Sequence, residues 1–298
     1  NRFWNPTDFL NQQRLDPLDV FDQRLGVPLL KLHLPIESLG WNLYAVGIFD
    51  GADTLEQLGG ALRAEVVAGT AELSLSAAAR QSQPLKLGAD ASVGVWDLDL
   101  RAEAAVSRGG GARRWSGDYD LLPALGAAAL PAGSPERTQL EAAAPVLGWT
   151  LRPTEEDRDD DWIVQAVAGF EWGIRVADED TLYVTAEYFY NGNGVDDPDL
   201  YPWMQLQGDF QPLYLGEHYA AAGLLLPAPG QWDDTTFSLG GIANLSDRSA
   251  LLRFDYSVRV LTRLQLNAFV AGHLGERGEL RYGLDEPGLL SAEALAGA

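Results

Sequence analysis

Residues Trp162–Trp172, WIVQAVAGFEW, constrain the fold of this chain more than any other stretch. Every second residue from Trp162 gives one apolar face: Trp162, Val164, Ala166, Ala168, Phe170 and Trp172. The opposite face holds Ile163, Gln165, Val167, Gly169 and Glu171. A period of two is the repeat of a β-strand, whose side chains alternate between faces. At ~3.3 Å per residue and a tilt of ~40°, the stretch covers a height of roughly 25 Å, that of the apolar band of an outer-membrane barrel. Indole rings prefer the boundary between hydrocarbon and headgroups, so the terminal tryptophans read as interface anchors. A half-buried strand of a soluble sandwich shows the same alternation, and the rest of the chain has to separate the two.

Hydropathy windows find no membrane helix. No run reaches the ~18 apolar residues such a helix needs, and Leu121–Ala132 is interrupted by Pro123 and Pro131. Alternating strands escape such windows. Nine tryptophans, ten tyrosines and 32 glycines suit a β-rich chain with tight turns. The 43 acidic against 21 basic residues, a net charge of -22, would repel nucleic acid phosphates. Without cysteine there is no disulfide framework and no thiolate metal site or nucleophile. The chain starts at Asn1 with no signal-peptide pattern, so the expectation is a cleaved leader or a fragment of a longer protein.

Period-2 segments recur along the chain. After residues 1–28, whose prolines and aspartates favour an ordered loop over a helix, strands are expected at Leu29–Leu34, Trp41–Phe49, Leu62–Ala68, Glu72–Ala77, Leu87–Val95 and Asp97–Val106. Trp162–Trp172 is followed by Thr181–Tyr190, Glu217–Leu226, Asp234–Leu245, Ala250–Leu261 and Leu264–Leu274, with a weaker strand at Glu279–Tyr282 and an unpatterned tail. Within 107–161, a short strand at Val146–Leu151 and a small helix near Pro135–Ala143 both fit.

The connections fall into two sets. Residues 35–40, 69–71, 96–97, 173–180, 227–233 and 261–263 join strands on one side. Residues 1–28, 50–60, 81–86, 107–161, 191–216, 246–249 and 275–278 lie on the other, and this set holds every connection longer than about a dozen residues, as expected of a barrel with short periplasmic turns and long external loops. A Greek-key sandwich has no reason for this asymmetry. Trp41, Trp96, Trp172 and Trp232 fall at short-turn ends and Trp162, Tyr188 and Tyr190 at the long-loop end, forming two candidate interface girdles. The expected fold is an all-β, antiparallel up-and-down transmembrane β-barrel of at least 12 strands. It is a single domain over 1–298, with 107–161 and 191–216 as external loops.

The segments FWNPTD (Phe3–Asp8), DPLDVFDQR (Asp16–Arg24) with VPLLKLHLP after it, AEYFYN (Ala186–Asn191), LYPW (Leu200–Trp203) and NLSDRS (Asn244–Ser249) followed by DYSVRVLT are similar to a recurring pattern. On these the chain resembles porin-like outer-membrane β-barrel proteins of Gram-negative bacteria, of the myxobacterial or deltaproteobacterial type. The resemblance implies a barrel and its location in the outer membrane, and transfers no activity. Such barrels finish on a strand ending in an aromatic residue, whereas this chain ends LLSAEALAGA, so the resemblance implies strands missing at one or both ends.

Enzyme motifs for nucleophilic, zinc or nucleotide chemistry are absent, and no enzyme or cofactor is expected. His33, His218 and His273 lie on separate strands and are expected as polar lining. The acidic run ending in Asp159, Asp160 and Asp161 offers oxygen ligands for Ca²⁺ without EF-hand spacing, and reads first as a solvated loop. Alternation turns Lys31, Arg63, Glu65, Glu72, Asp90, Asp97, Asp99, Arg101, Glu103, Glu171, Glu187, Arg253, Asp255 and Arg259 inward, five basic against nine acidic. Charges of both signs on one face must meet water or one another. The expectation is a porin-like channel for small hydrophilic solutes with mild cation preference, with loop 107–161 or 191–216 folding inward as a constriction. The alternatives are a plugged, non-conducting barrel binding other envelope proteins, and a soluble β-sandwich or glycan-binding domain. Outer-membrane lipid and lipopolysaccharide are the expected surroundings.

Overall fold

Thirteen strands join edge to edge into one antiparallel sheet in the computed structural model, which describes residues 3–9, 28–49, 54, 58–80, 83, 85–109, 113–177, 180–261, 264–281 and 294–297. They are β1 (Leu29–Ile36), β2 (Trp41–Ile48), β3 (Gly59–Ala68), β4 (Ala71–Arg80), β5 (Lys86–Val95), β6 (Leu98–Arg108), β9 (Trp162–Arg175), β10 (Thr181–Asn191), β11 (His218–Pro227), β12 (Thr235–Asn244), β13 (Ser249–Leu261), β14 (Leu264–Gly275) and β15 (Ala294–Gly297). Each pairs with its neighbour in chain order, apart from a two-stranded insertion, β7 (Arg114–Ser116) with β8 (Thr154–Glu156), between β6 and β9. This is the meander expected from the alternation, strand for strand up to β14. No pairing between β1 and β15 is present among the described residues. The DPLDVFDQR segment lies outside them.

The register separates the two faces. One row of paired residues crosses the sheet through Leu100, Phe170, Ala186, Ala222, Gly241, Leu252 and Gly272. A row on the opposite face runs Glu65, Ser74, Asp90, Glu103, Val167, Phe189, Tyr219, Asn244 and Ser249. The first face exposes its large side chains: Leu32, Leu62, Leu75, Leu252, Phe254 and Val270 are all more than two-fifths accessible. An apolar face continuous over twelve strands far exceeds the few hundred Å² that soluble proteins leave uncovered. Hydrocarbon is the solvent such a face fits, and strands cross a bilayer only where neighbouring strands satisfy their backbone groups. The fold is the wall of an up-and-down transmembrane β-barrel. No described helix is long and apolar enough to cross a membrane.

The short connections match the expected side. Glu37–Leu39 forms one 3-10 turn closed by Gly40 in the left-handed region at φ 65, and Trp96 turns the β5–β6 hairpin at φ 55. The long connection 109–161 is folded into β7, α1 (Leu121–Ala128), α2 (Pro135–Leu147) and β8. Both alternatives left open by the sequence resolve to helix. Ser134 caps α2 by accepting from the Arg137 N–H, Pro135 and Glu136 suit its first turn, and Gly148 ends it at φ 73. Residues 146–151 therefore hold a helix terminus and no strand. In the other long connection, α3 (Tyr201–Gln207) packs Tyr201, Trp203 and Met204 with Trp115, Leu200 and Leu215 into a small core above the sheet.

The weak strand expected at Glu279–Tyr282 does not form. Only an isolated bridge joins Gly278 to Arg281, since the Glu279 N–H donates to the Asp247 carboxylate and the Leu280 N–H to Ser249 Oγ in place of a neighbouring strand. Tyr282 lies outside the described residues.

Candidate functional site

The polar face of the sheet carries the charged residues the alternation assigned to it. Arg63 on β3 donates to Asp90 on β5 through both terminal nitrogens, at 2.9 and 3.0 Å, and its Nε lies 3.7 Å from Glu65. The fork geometry of guanidinium makes such a two-point pair short and directional. Arg253 donates to Asp255, two residues along β13, through Nε and Nη2, its guanidinium 4.2 Å above the Phe269 ring. Lys31 Nζ lies 4.4 Å over Tyr44, which stacks on His33. Glu72 and Arg101 share this face, in register with Ser92. Arg259 lies 3.9 Å from Asp234 near the β13–β14 turn, both well exposed.

Asp97, Asp99 and Glu171 come together. With Arg175, Tyr183 and Trp96 they line a cavity of about 610 Å³ at the short-turn end. Asp99 and Glu171 are direct partners across β6 and β9, so two like charges sit side by side, an arrangement that persists where water or cations screen them. Trp96, fully exposed at the tip of its turn, stands at this mouth, with Trp41, Trp172 and Trp232 exposed at the same end of the sheet.

Toward the long loops the same face is covered, among the described residues, by the N-terminal segment and part of loop 191–216. Residues Phe3–Phe9 cross the face as a strap. The Trp4 ring is 1% exposed, stacked on Phe189 at 5.3 Å and tilted against Tyr219 at 5.7 Å, and its Nε1 donates to the Leu213 carbonyl at 3.2 Å. Glu187 accepts from the Phe3 and Trp4 N–H groups at 3.0 and 3.5 Å. The Thr7 hydroxyl donates to Glu103 at 3.0 Å, and Phe9 packs with Ala78 and Ala105. Glu187 and Glu103, expected to line open lumen, hold this strap. Of the two loops expected to fold inward, 191–216 contributes Leu213 and Tyr214 against the Trp4 cluster. Loop 107–161 instead packs on α3 through Trp115 and Ala124.

A buried polar knot ties this end together. Asn244 donates to Asp247 and to Glu279, both at 2.9 Å. Glu279 also accepts from the Tyr219 hydroxyl at 2.6 Å and from the Leu213 N–H, while its own N–H donates to Asp247 at 2.8 Å. Burial pushes the Glu279 carboxyl up to about 7, against the pull of these donors, with Asp247 adding to the rise. Burial, Asp247 and Glu279 push the Tyr201 phenol up as well. Alternation could not show this knot, since three of its members lie in turns between strands.

The histidines do not converge. His33 contacts Asn42, and His273 donates through Nδ1 to the Leu280 carbonyl. His218 departs from the expected polar lining. Its register partner is Tyr190 on the apolar face, and Tyr188 OH meets its Nδ1 at 2.7 Å, so it joins the aromatic rim at the long-loop end with Tyr188, Tyr190 and Trp162. Asp159, Asp160 and Asp161 do not share a site: Asp160 pairs with Arg108, Asp161 with Arg158, and the Asp159 N–H donates to Asp157. Among the described residues no group of three or more acidic or histidine side chains is arranged to hold a metal.

No protein-family model matches the chain, and no curated protein matches it. Among solved structures it is similar to the crystal structure of a doubly substituted OccD1 (OprD), at 11% sequence identity and a TM-score of 0.42. The match covers 83% of this chain, which spans 63% of the length of that one.

Proposed function

We propose that this protein is an outer-membrane channel of Gram-negative bacteria that passes small hydrophilic solutes with a mild preference for cations. The supporting observation is the division of the sheet: an apolar face continuous across β1–β14, and opposite it a charged face opening into the cavity beside Asp97, Asp99 and Glu171. Rings of carboxylate at a mouth raise the local concentration of cations and lower that of anions. Outer-membrane lipid and lipopolysaccharide surround the barrel in this reading, and no cofactor is needed. Planar-bilayer recording under a salt gradient tests it. Stepwise conductance with a reversal potential of cationic sign is expected, and a correctly folded barrel that never conducts overturns it.

A second reading is favoured by one observation, the filling of the long-loop end by the strap and by the core around Trp115 and Trp203. In it the barrel does not conduct and its folded loops dock another envelope protein. Recovery of a stoichiometric envelope partner after crosslinking, lost when 121–150 is replaced by a short linker, distinguishes it from the channel.

A further inference from the structure

We propose that the polar face carries a binding trough for a peptide with two aromatic side chains five residues apart and a turn between them, and that Phe3–Phe9, folded by the Asp8 N–H donating to the Asn5 carbonyl, fills this trough in cis as a plug. Three features of the wall carry it. First, β5 has Gly88 where the strap crosses it. A Cβ there would lie 2.8 Å from Ser76 Oγ on the neighbouring strand, 2.9 Å from the Phe9 ring and 3.1 Å from the Thr7 methyl, so a side chain at this position would press on the strap. Glycine weakens a strand interior and marks close approach of another backbone. Second, Glu187 receives two successive main-chain N–H groups, which any non-proline peptide offers whatever its side chains. Gly169 gives Glu187 its place, since a Cβ at 169 would come within 2.6 Å of the Glu187 Cγ. Third, the Trp4 socket is specific: two stacked or tilted rings around the indole and one carbonyl, that of Leu213, for its N–H.

The chemistry of the trough names its ligand. Carboxylates at Glu187 and Glu103 favour a segment rich in N–H and hydroxyl donors and without net negative charge. The sockets at the two ends favour indole or phenyl groups. A peptide of this kind in solution would compete with the strap, which holds its position through the high effective concentration of a linked segment. Only the conductance part of the test rests on the channel reading.

The test uses the full chain with Trp4→Ala and Phe9→Ala together, which vacates both sockets, and a labelled synthetic peptide of residues 1–9 as probe. Saturable one-to-one binding by fluorescence anisotropy is expected. It should weaken by at least about tenfold when Trp4 and Phe9 of the peptide are replaced by alanine, as for loss of two buried aromatic anchors. In bilayers the double variant should conduct more than the parent and return toward it on adding peptide. A second variant, Gly88→Val, guards against misfolding of the first: with the Phe9 socket blocked, protease should cut the N-terminal segment faster at unchanged heat-modifiable migration. No binding, equal binding of the alanine peptide, or unchanged protection in Gly88→Val each overturns the proposal. If neither parent nor variants conduct, the channel reading fails while the binding result still decides the trough.

Discussion

The indole of Trp4 lies stacked on the ring of Phe189, centroids 5.3 Å apart and planes 17° apart, across 185 positions of sequence. Phe189 and Tyr219 are fully buried, and much of what covers them is this ring together with Leu213. A face that alternation marks as lumen is therefore a packed core at this point. Trp4→Ala should cost about 3–5 kcal/mol, the range for deleting a large buried aromatic, and Trp4→Phe distinctly less. The midpoint of heat-modifiable gel migration, compared between the two variants, checks the order.

Glu279 sets a pH dependence. Its carboxyl is raised from the ordinary 4.5 to about 7 in the folded state, so the folded form binds more protons than the unfolded one between those values. Its contribution to stability is complete below about pH 4.5 and is lost as pH rises through about 7. The segment after β14 and the loop around Leu213 should resist protease better at pH 5 than at pH 8. Glu279→Gln, neutral at both, should flatten that difference.

Gly216 admits no side chain. A Cβ there would lie 2.4 Å from Asn244 Oδ1, inside the knot formed by Asn244, Asp247 and Glu279. Gly216→Ala should loosen the long-loop end while leaving β1–β6 intact. Hydrogen exchange should rise at residues 213–219 and 276–281 and stay unchanged on β3 and β4.

The apolar face tolerates charge poorly. Phe254, mid-strand on β13, points to this face, and Phe254→Arg should cost about 2–4 kcal/mol near the bilayer centre. Ser257→Arg on the opposite face of the same strand should cost far less, since it meets the polar side. Refolding yields into lipid vesicles across a urea series measure both.

Neutralising the mouth should alter selectivity. With Asp97, Asp99 and Glu171 replaced by Asn, Asn and Gln, the reversal potential under a salt gradient should move toward zero. The barrel should still fold, because side-by-side carboxylates repel and their removal relieves that repulsion. An unchanged potential would remove this cavity from the conduction path.

Trp162–Trp172 and its neighbours show what the sequence determined alone. Strand direction, the identity of the apolar face and the side of each connection all follow from a period of two and from turn residues, which are local properties. The placement of Arg63, Asp90 and Arg253 opposite that face came with them. The tertiary structure alone decided what lies against the polar face. Phe3–Phe9 has no period, and its partners Glu187, Phe189 and Leu213 lie far from it in sequence and meet it only in the folded chain. His218 changed faces because register, set by pairing with Tyr190, outranks the polarity of one side chain. Glu279 left its expected strand because its N–H and that of Leu280 are taken by the side chains of Asp247 and Ser249, residues distant in sequence. Local alternation built the wall, and long-range contacts filled one end of it.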